Sequence, residues 1–127
     1  MRTIVFLLSF FLLSCNQSAI SKKLSASDSV VVTFNEPNSD AVSKTVAATE
    51  KTAISKLSGF MSGKVTEQYK CGYDGNIVFY SEGKELMPVV FKYKDQNCRF
   101  FIYELDGKTI STTMSNEAAD FLESLEA

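Results

Sequence analysis

The spacing of hydrophobic and polar residues divides the chain into three parts. Residues 4–13 are apolar except for Ser9, a run too short for a helix that crosses a bilayer. Residues 15–29 are rich in Ser, Lys and Ala and show no sustained period, which predicts a flexible tether. Residues 30–127 alternate between helical and strand periods and predict a single domain.

The first part of this domain predicts a strand followed by a long helix. Residues 30–34 are β-branched or aromatic and run into a turn around Pro37. Residues 41–57 are rich in Ala, Lys, Glu, Val and Thr, and their apolar positions fall on one helical face. Ser39 or Asp40 is suited to cap that helix, so the pattern predicts one long helix lying on a sheet.

After Gly63 the apolar residues recur at every second position, which predicts an antiparallel meander of four or five strands. The hairpin between residues 77 and 93 fits a loop of either two or three residues, so its register stays open. Asp106-Gly107 is a stronger hairpin signal. A two-residue turn there pairs Tyr103 with Ile110.

Ser115 is suited to cap a short C-terminal helix that closes the domain. The predicted class is therefore α+β, with the order strand, long helix, four- to five-strand meander and short helix. This order resembles the layout of cystatin-like folds. The glycine-rich Q-x-V-x-G loop of true cystatins is absent, so the resemblance implies a layout and no function.

The sequence LLSC at residues 12–15 resembles the lipobox of bacterial lipoproteins. The resemblance implies that residues 1–14 are a signal peptide and that Cys15 becomes an acylated N-terminus, held on a lipid bilayer. It also implies a location in the bacterial cell envelope. In lipoproteins of the enteric type, a residue other than Asp after the cysteine, here Asn16, favours the outer membrane. The alternative is an ordinary secretory signal whose cysteine is incidental.

The chain contains no histidine, which limits the catalytic and metal-binding sites that it could form. This absence excludes Ser-His-Asp and Cys-His nucleophile systems and makes most zinc sites implausible. We therefore expect no enzyme, no cofactor and no metal. The chain has 13 Lys and Arg residues against 15 Asp and Glu residues, a net charge of −2, which gives no electrostatic reason to bind nucleic acid.

Three cysteines are present, and acylation of Cys15 would leave an even number. Cys71 and Cys98 then invite one disulfide in an oxidising compartment. Two separate free thiols are the alternative.

Aromatic and cationic residues in the strand region are candidates for binding. Tyrosines are good binding anchors, although they also suit half-buried strands without any further role. Lysines and an arginine could gather into an anion-binding patch, or simply form a solvated strand face. The five tyrosines are Tyr69, Tyr73, Tyr80, Tyr93 and Tyr103, and the four cations are Lys70, Lys92, Lys94 and Arg99. The candidate binding residues are Tyr73, Tyr80, Tyr93, Lys92 and Arg99.

Two carboxylate pairs are the remaining catalytic candidates, Glu82 with Glu85 and Glu104 with Asp106. Paired acids hydrolyse glycosides when they face each other across a cleft, but both pairs flank predicted hairpin tips, which are convex. Asp74 begins a turn sequence that lacks the spaced ligands of a calcium loop.

Tyr69-Lys70-Cys71, together with Gly75, Val78 and Tyr80, resembles the opening of membrane-bound lysozyme-inhibitor lipoproteins. Those proteins are small β-barrels with a Ser- and Tyr-containing inhibitory loop, for which this chain has no counterpart.

The sequence favours a non-enzymatic envelope lipoprotein that binds a protein or envelope component. An inhibitor of a hydrolase such as lysozyme is the second hypothesis, and a carboxylate-based hydrolase is the third.

Overall fold

The computed structural model of the chain describes residues 15–67 and 70–127. The predicted signal peptide and Tyr69 lie outside the described residues. The elements, in chain order, are α1 (Cys15–Leu24), β1 (Ser29–Asn35), β2 (Val42–Ala48), α2 (Lys51–Phe60), β3 (Val65–Thr66), β4 (Gly75–Ser81), β5 (Lys84–Lys92), β6 (Phe100–Leu105), β7 (Lys108–Thr113) and α3 (Asn116–Glu126).

The strands form one seven-stranded sheet in the order β2-β1-β4-β5-β6-β7-β3, and every pairing in it is antiparallel. The α+β class is thus confirmed. Strands β4 to β7 are neighbours in both sequence and space, which confirms the predicted antiparallel meander with four strands. Strand β1 pairs with β4, and β2 and β3 form the two edges.

All three helices bury their apolar residues against one face of the sheet. Residues that pair directly across an antiparallel ladder point to the same face, so the register shows which side chains share this layer. The helices contribute Ile20, Leu24, Ile54, Leu57, Ala118 and Leu122, and the strands contribute Val30, Val32, Phe34, Ile77, Phe79, Met87, Val89, Phe91, Phe101 and Tyr103.

The prediction of one long helix over residues 41–57 is wrong. Strand β2 takes up the first half of this stretch, and α2 begins only at Lys51, after an N-cap at Glu50 that makes no side-chain cap bond. Ser39 and Asp40 lie in the turn of the β1–β2 hairpin instead of at a helix start. The composition suits a helix, but the free edge of β1 requires a hydrogen-bonding partner, and tertiary pairing overrides local propensity. A cystatin-like layout, which depends on that helix, is not confirmed.

The flexible tether predicted over residues 15–29 also needs correction. Residues Cys15–Leu24 form α1, and Ile20 and Leu24 are each 1% exposed within the core. Their spacing of four places both side chains on one side of the helix, which is enough to dock it. The folded domain therefore begins well before Val30.

The two hairpins of the meander use the same turn. Glu82-Gly83 and Asp106-Gly107 all have positive φ values, between 52° and 78°, as a two-residue type I′ turn requires. The pairing of Tyr103 with Ile110 is confirmed. The register left open for residues 77–93 is that of a two-residue turn, followed by a bulge beside Tyr80.

Two further local features fix the ends of elements. Ser115 caps α3 by accepting a hydrogen bond from the backbone N–H of Ala118 at 3.1 Å, as predicted. Gly75 begins β4 at a close approach between strands, because a Cβ there would collide with the carbonyl oxygen of Thr33 and the ring of Phe91.

Candidate functional site

The face of the sheet turned away from the helices carries a half-exposed apolar strip. We call this face the open face, and its apolar strip consists of Val31, Val78, Pro88, Val90 and Ile102. The strip crosses four strands, because Val31 faces Val78, Val78 faces Pro88, and Val90 faces Ile102. None of the five residues belongs to the core cluster, and none is fully buried.

Polar and aromatic residues surround the apolar strip. Thr33 and Asn76 face each other and lie beside Val90 in the register, while Tyr80 is half-buried at the other end of the strip. A partly exposed apolar centre with a polar surround has the anatomy of an interaction surface. Of the candidate tyrosines, Tyr80 is the one that the register places on the open face.

Two residues of the open face are buried. Ser111, opposite Ile102 on β7, is 3% exposed, and Phe100 is fully buried. Phe100 follows Cys98 by two residues, and Cys98 is disulfide-bonded to Cys71 with a Cα–Cα distance of 6.5 Å. The predicted disulfide is therefore present. The disulfide lies at the end of the sheet where β6 begins. The open face is therefore shielded from solvent at this closed end, whereas the apolar strip is partly exposed.

Tyr73 projects from a turn that is held on both sides. Its side chain is 54% exposed, the most prominent exposed aromatic among the described residues. Cys71 anchors the turn two residues before it through the disulfide, and Asp74 anchors it directly after. The local sequence signalled a turn with a tyrosine in it, but it gave no indication that Asp74 would fix the turn.

The buried carboxylate of Asp74 accepts three hydrogen bonds. Its Oδ2 accepts hydrogen bonds from the backbone N–H groups of Tyr93 (2.8 Å) and Lys94 (2.9 Å), and its Oδ1 accepts one from Lys92 Nζ (3.2 Å). Burial acts to raise the pKa of Asp74, but these hydrogen bonds and the Lys92 charge outweigh it and bring the pKa below its usual value. Asp74 thus joins the end of β5 to the start of β4 as an ionised group.

The predicted anion-binding patch is largely neutralised by internal partners. Lys92 is paired with Asp74, and Lys94 Nζ lies 3.2 Å from Glu126 Oε2. Arg99 donates to the backbone oxygen of Tyr93 at 2.8 Å and to Asn116 Oδ1 at 3.3 Å. The cations lie close to one another along the chain, but these contacts tie the end of the sheet to α3 and give them a structural role.

Tyr93 has a similar role. It is only 4% exposed, packs edge-on against Phe34, and its hydroxyl donates to Glu126 Oε1. Burial, the hydrogen bond and the negative charge of Glu126 all raise the pKa of Tyr93. The structure therefore separates the candidate tyrosines, with Tyr73 and Tyr80 at the surface and Tyr93 inside.

The carboxylate pairs lie at exposed hairpin ends. Glu82 and Asp106 occupy the first positions of the two turns, and Glu85 and Glu104 are exposed on the adjoining strands. The backbone N–H of Glu82 donates to Asp28 Oδ2 at 2.8 Å. These positions match the predicted convex tips and do not provide the enclosed geometry that paired-acid hydrolysis uses.

A groove of about 920 Å³ runs between α1 and α2. Its floor contains Leu24 and Ile54, and most of its remaining lining consists of Ser and Thr side chains. Two of these hydroxyls are already used, because Ser25 donates to the Lys22 carbonyl and Ser58 to the Ser55 carbonyl. Among the described residues that line the groove there is no carboxylate and no cysteine, so we favour the open face, with its apolar strip, as the candidate site.

In the parts of the chain that the structure describes, no group of three or more Cys, Asp or Glu residues is arranged to hold a metal ion. Within the same residues, no helix has the length and apolar character needed to cross a bilayer. Comparisons of the chain with protein-family models, with curated proteins and with solved structures found no match.

Proposed function

We propose that this chain is a lipid-anchored lipoprotein of the bacterial cell envelope whose domain binds a protein without catalysing a reaction. The observation that carries the binding role is the apolar strip of the open face. Five apolar residues on four neighbouring strands remain outside the core, although the same strands bury their other side completely. An apolar partner surface would remove this strip from water, which is the usual driving force for association.

The anchor is supported by the lipobox resemblance at Cys15. Cys15 belongs to helix α1, which enters the core at Ile20, so acyl chains on Cys15 would hold the domain close to the headgroups. Outer-membrane residence, favoured by Asn16, is part of the proposal. A short connection of this kind restricts which surfaces of the domain a partner can approach.

The anchor is tested by labelling cells with radioactive palmitate. The native chain should incorporate label and Cys15→Ala should not, since Cys71 and Cys98 are joined to each other. Label retained in Cys15→Ala, or no label in the native chain, would contradict the lipid anchor.

The binding role is tested with a photoreactive amino acid at Val78, in the middle of the apolar strip. A matched control places the same amino acid at Glu123, which is exposed on α3. We expect a discrete adduct from position 78, none from position 123, and loss of the adduct when Val90→Glu is added to the first variant. An adduct that survives Val90→Glu, or adducts only from position 123, would show that the open face is not the interface.

A hydrolase inhibitor is the second candidate, and the observation that favours it is the exposed and restrained Tyr73. Inhibitory loops gain affinity when they are fixed before binding, and an exposed aromatic is an effective anchor. The purified chain would then inhibit a lysozyme at micromolar concentration, and Tyr73→Ala would weaken inhibition far more than Tyr80→Ala. No inhibition by the native chain would remove this candidate.

A further inference from the structure

The two edges of the sheet are protected to different degrees. Strand β3, at one edge, has only two residues, Val65–Thr66. Strand β2, at the other edge, has seven residues, Val42–Ala48, and within the described residues β1 is the only strand hydrogen-bonded to it. A long edge strand presents a row of backbone donors and acceptors that another strand can satisfy.

Strand β2 lacks most of the features that block such pairing. It contains no proline and no acidic residue, and its pairing with β1 is regular from Lys44 to Ala48, with an irregularity only beyond Lys44. Lys44 is the one charged residue, and its ammonium donates to the carbonyl oxygens of Glu126 (3.3 Å) and Ala127 (2.9 Å). The charge is therefore directed over the helical layer and away from the free edge.

We propose that β2 pairs antiparallel with β2 of a second copy of this chain, with Val46 opposite Val46. This register uses the five regular residues of the strand symmetrically. It sets Thr45 opposite Ala47 of the second copy on the open face, and Lys44 opposite Ala48. The sheet then continues across both molecules through an isologous interface.

A second copy fits this edge better than an unrelated peptide, because two β2 strands in this register are complementary in charge spacing and side-chain size. The two Lys44 residues are separated by four positions along the strands in this register, so no like charges face each other. The remaining side chains are small or β-branched and uncharged, which suits close cross-strand contact. The one charged side chain of β2 is directed away from the free edge, so no charge of the strand would select a different sequence.

The symmetry has a consequence for the rest of the molecule. The two-fold axis of such a pair is perpendicular to the sheet, so the helical layers of both copies lie on the same side. Both α1 helices then begin on one side of the assembly, and the two open faces form one surface on the other. If the proposed anchor at Cys15 is correct, both copies can be held by one membrane.

Charge substitutions at the two exposed positions test the register. Thr45 and Ala47 face Thr33 and Val31 within the chain, so charges at these positions meet no charged neighbour on β1. Thr45→Lys with Ala47→Lys places like charges opposite each other twice in the dimer, whereas Thr45→Lys with Ala47→Glu places opposite charges there. We expect the dimer dissociation constants of these two full-length variants, measured by sedimentation in detergent, to differ by at least about tenfold, with the native chain between them.

Disulfide crosslinking provides a second measurement. Directly opposite residues in an antiparallel pair are close enough for a disulfide, so Val46→Cys should give a covalent dimer on mild oxidation. Val65→Cys, on the opposite edge and 53% exposed, is the matched control and should give much less. Both variants are also made with Cys15→Ala, which removes that thiol and makes the result independent of the proposed anchor.

Equal crosslinking at positions 46 and 65 would indicate random collision and overturn the proposal. Equal dissociation constants for the two charge variants would also overturn it. Loss of palmitate labelling would leave the dimer prediction unchanged, so failure of the anchor and failure of the dimer are distinguishable.

Discussion

Val89 and Val90 are consecutive residues on β5 with different surroundings. Val89 points into the layer covered by the three helices and has no exposed surface, whereas Val90 lies on the open face and keeps part of its side chain in solvent. The same contrast holds for Ile77 and Val78 on β4. Both sides use β-branched residues, although most of the buried phenylalanines lie on the covered face.

The difference between the faces separates the side chains that the fold needs for packing from those that are available to a partner. On the covered face, each side chain fills space between helices and strands, so its removal leaves a cavity. In the apolar strip of the open face, the side chains stabilise the strands through their cross-strand neighbours but stay outside the core. An apolar residue there remains available to a partner, which is why we place the binding role on the open face.

The largest expected effect comes from truncating the covered face. Phe91 is fully buried, with its ring centroid 5.8 Å from that of Phe34 and 5.9 Å from that of Tyr93. Phe91→Ala should lower the free energy of unfolding by about 4 kcal/mol in urea denaturation. Ile102→Ala on the open face should cost less than half as much, and equal losses would show that the two faces are equally packed.

The next effect concerns the closed end of the open face, where Phe100 is buried. The disulfide between Cys71 and Cys98 closes a loop with a sequence separation of 27 residues. Reduction should lower the free energy of unfolding by about 3.5 kcal/mol according to the chain-entropy model. Urea unfolding of the oxidised and reduced native chain measures this without any substitution. An unchanged midpoint would mean that the bridge does not restrain the unfolded chain.

Local signals accounted for the features that were predicted correctly. The I′ turn at Asp106-Gly107 fixed its hairpin register, and the Ser115 cap fixed the start of α3, because each is decided by residues within a few positions of one another. The disulfide followed from the cysteine count. The turn and the cap each depend on residues that are close in sequence. The disulfide had few alternative cysteine pairings.

The features that the sequence did not reveal depend on distant partners. Residues 42–48 form a strand because β1 has a free edge, although their Ala and Lys content is compatible with a helix. Asp74 has a buried structural role because β4 begins beside the end of β5, and no local motif encodes that contact. The open face was not recognised from the sequence, because β-branched residues occur on both sides of its strands.

A smaller effect is expected at Asp74, at the end of the sheet rather than on either face. Asp74→Asn removes the charge that attracts Lys92 and places an amide donor among groups that are themselves donors. At neutral pH this should cost about 2 kcal/mol of the free energy of unfolding.

The pH dependence of that loss provides the control. The pKa of Asp74 lies lower in the folded state than its ordinary value of 3.8, so its stabilising contribution is present above that value. The contribution is lost as the pH falls through the folded pKa. The stability difference between the native chain and Asp74→Asn should therefore be constant near neutrality and decrease below about pH 4. A difference independent of pH would mean that the charge of Asp74 is not responsible.

The smallest substitutions test the comparison between the faces most directly. Val→Thr keeps the shape of the side chain and replaces one methyl group by a hydroxyl, so the effect at each position reports whether that side of β5 is dry. Val89→Thr places the hydroxyl among apolar residues and should cost about 1–3 kcal/mol of the free energy of unfolding. Val90→Thr lets the hydroxyl reach water, and threonine suits strands, so its effect should stay within about 0.5 kcal/mol. Urea denaturation of the two variants measures the difference, and equal losses would mean that the open face is covered in the native protein. If Val90→Thr keeps its stability and also weakens the crosslink at position 78, the apolar surface of the strip contributes to binding and is not required for folding.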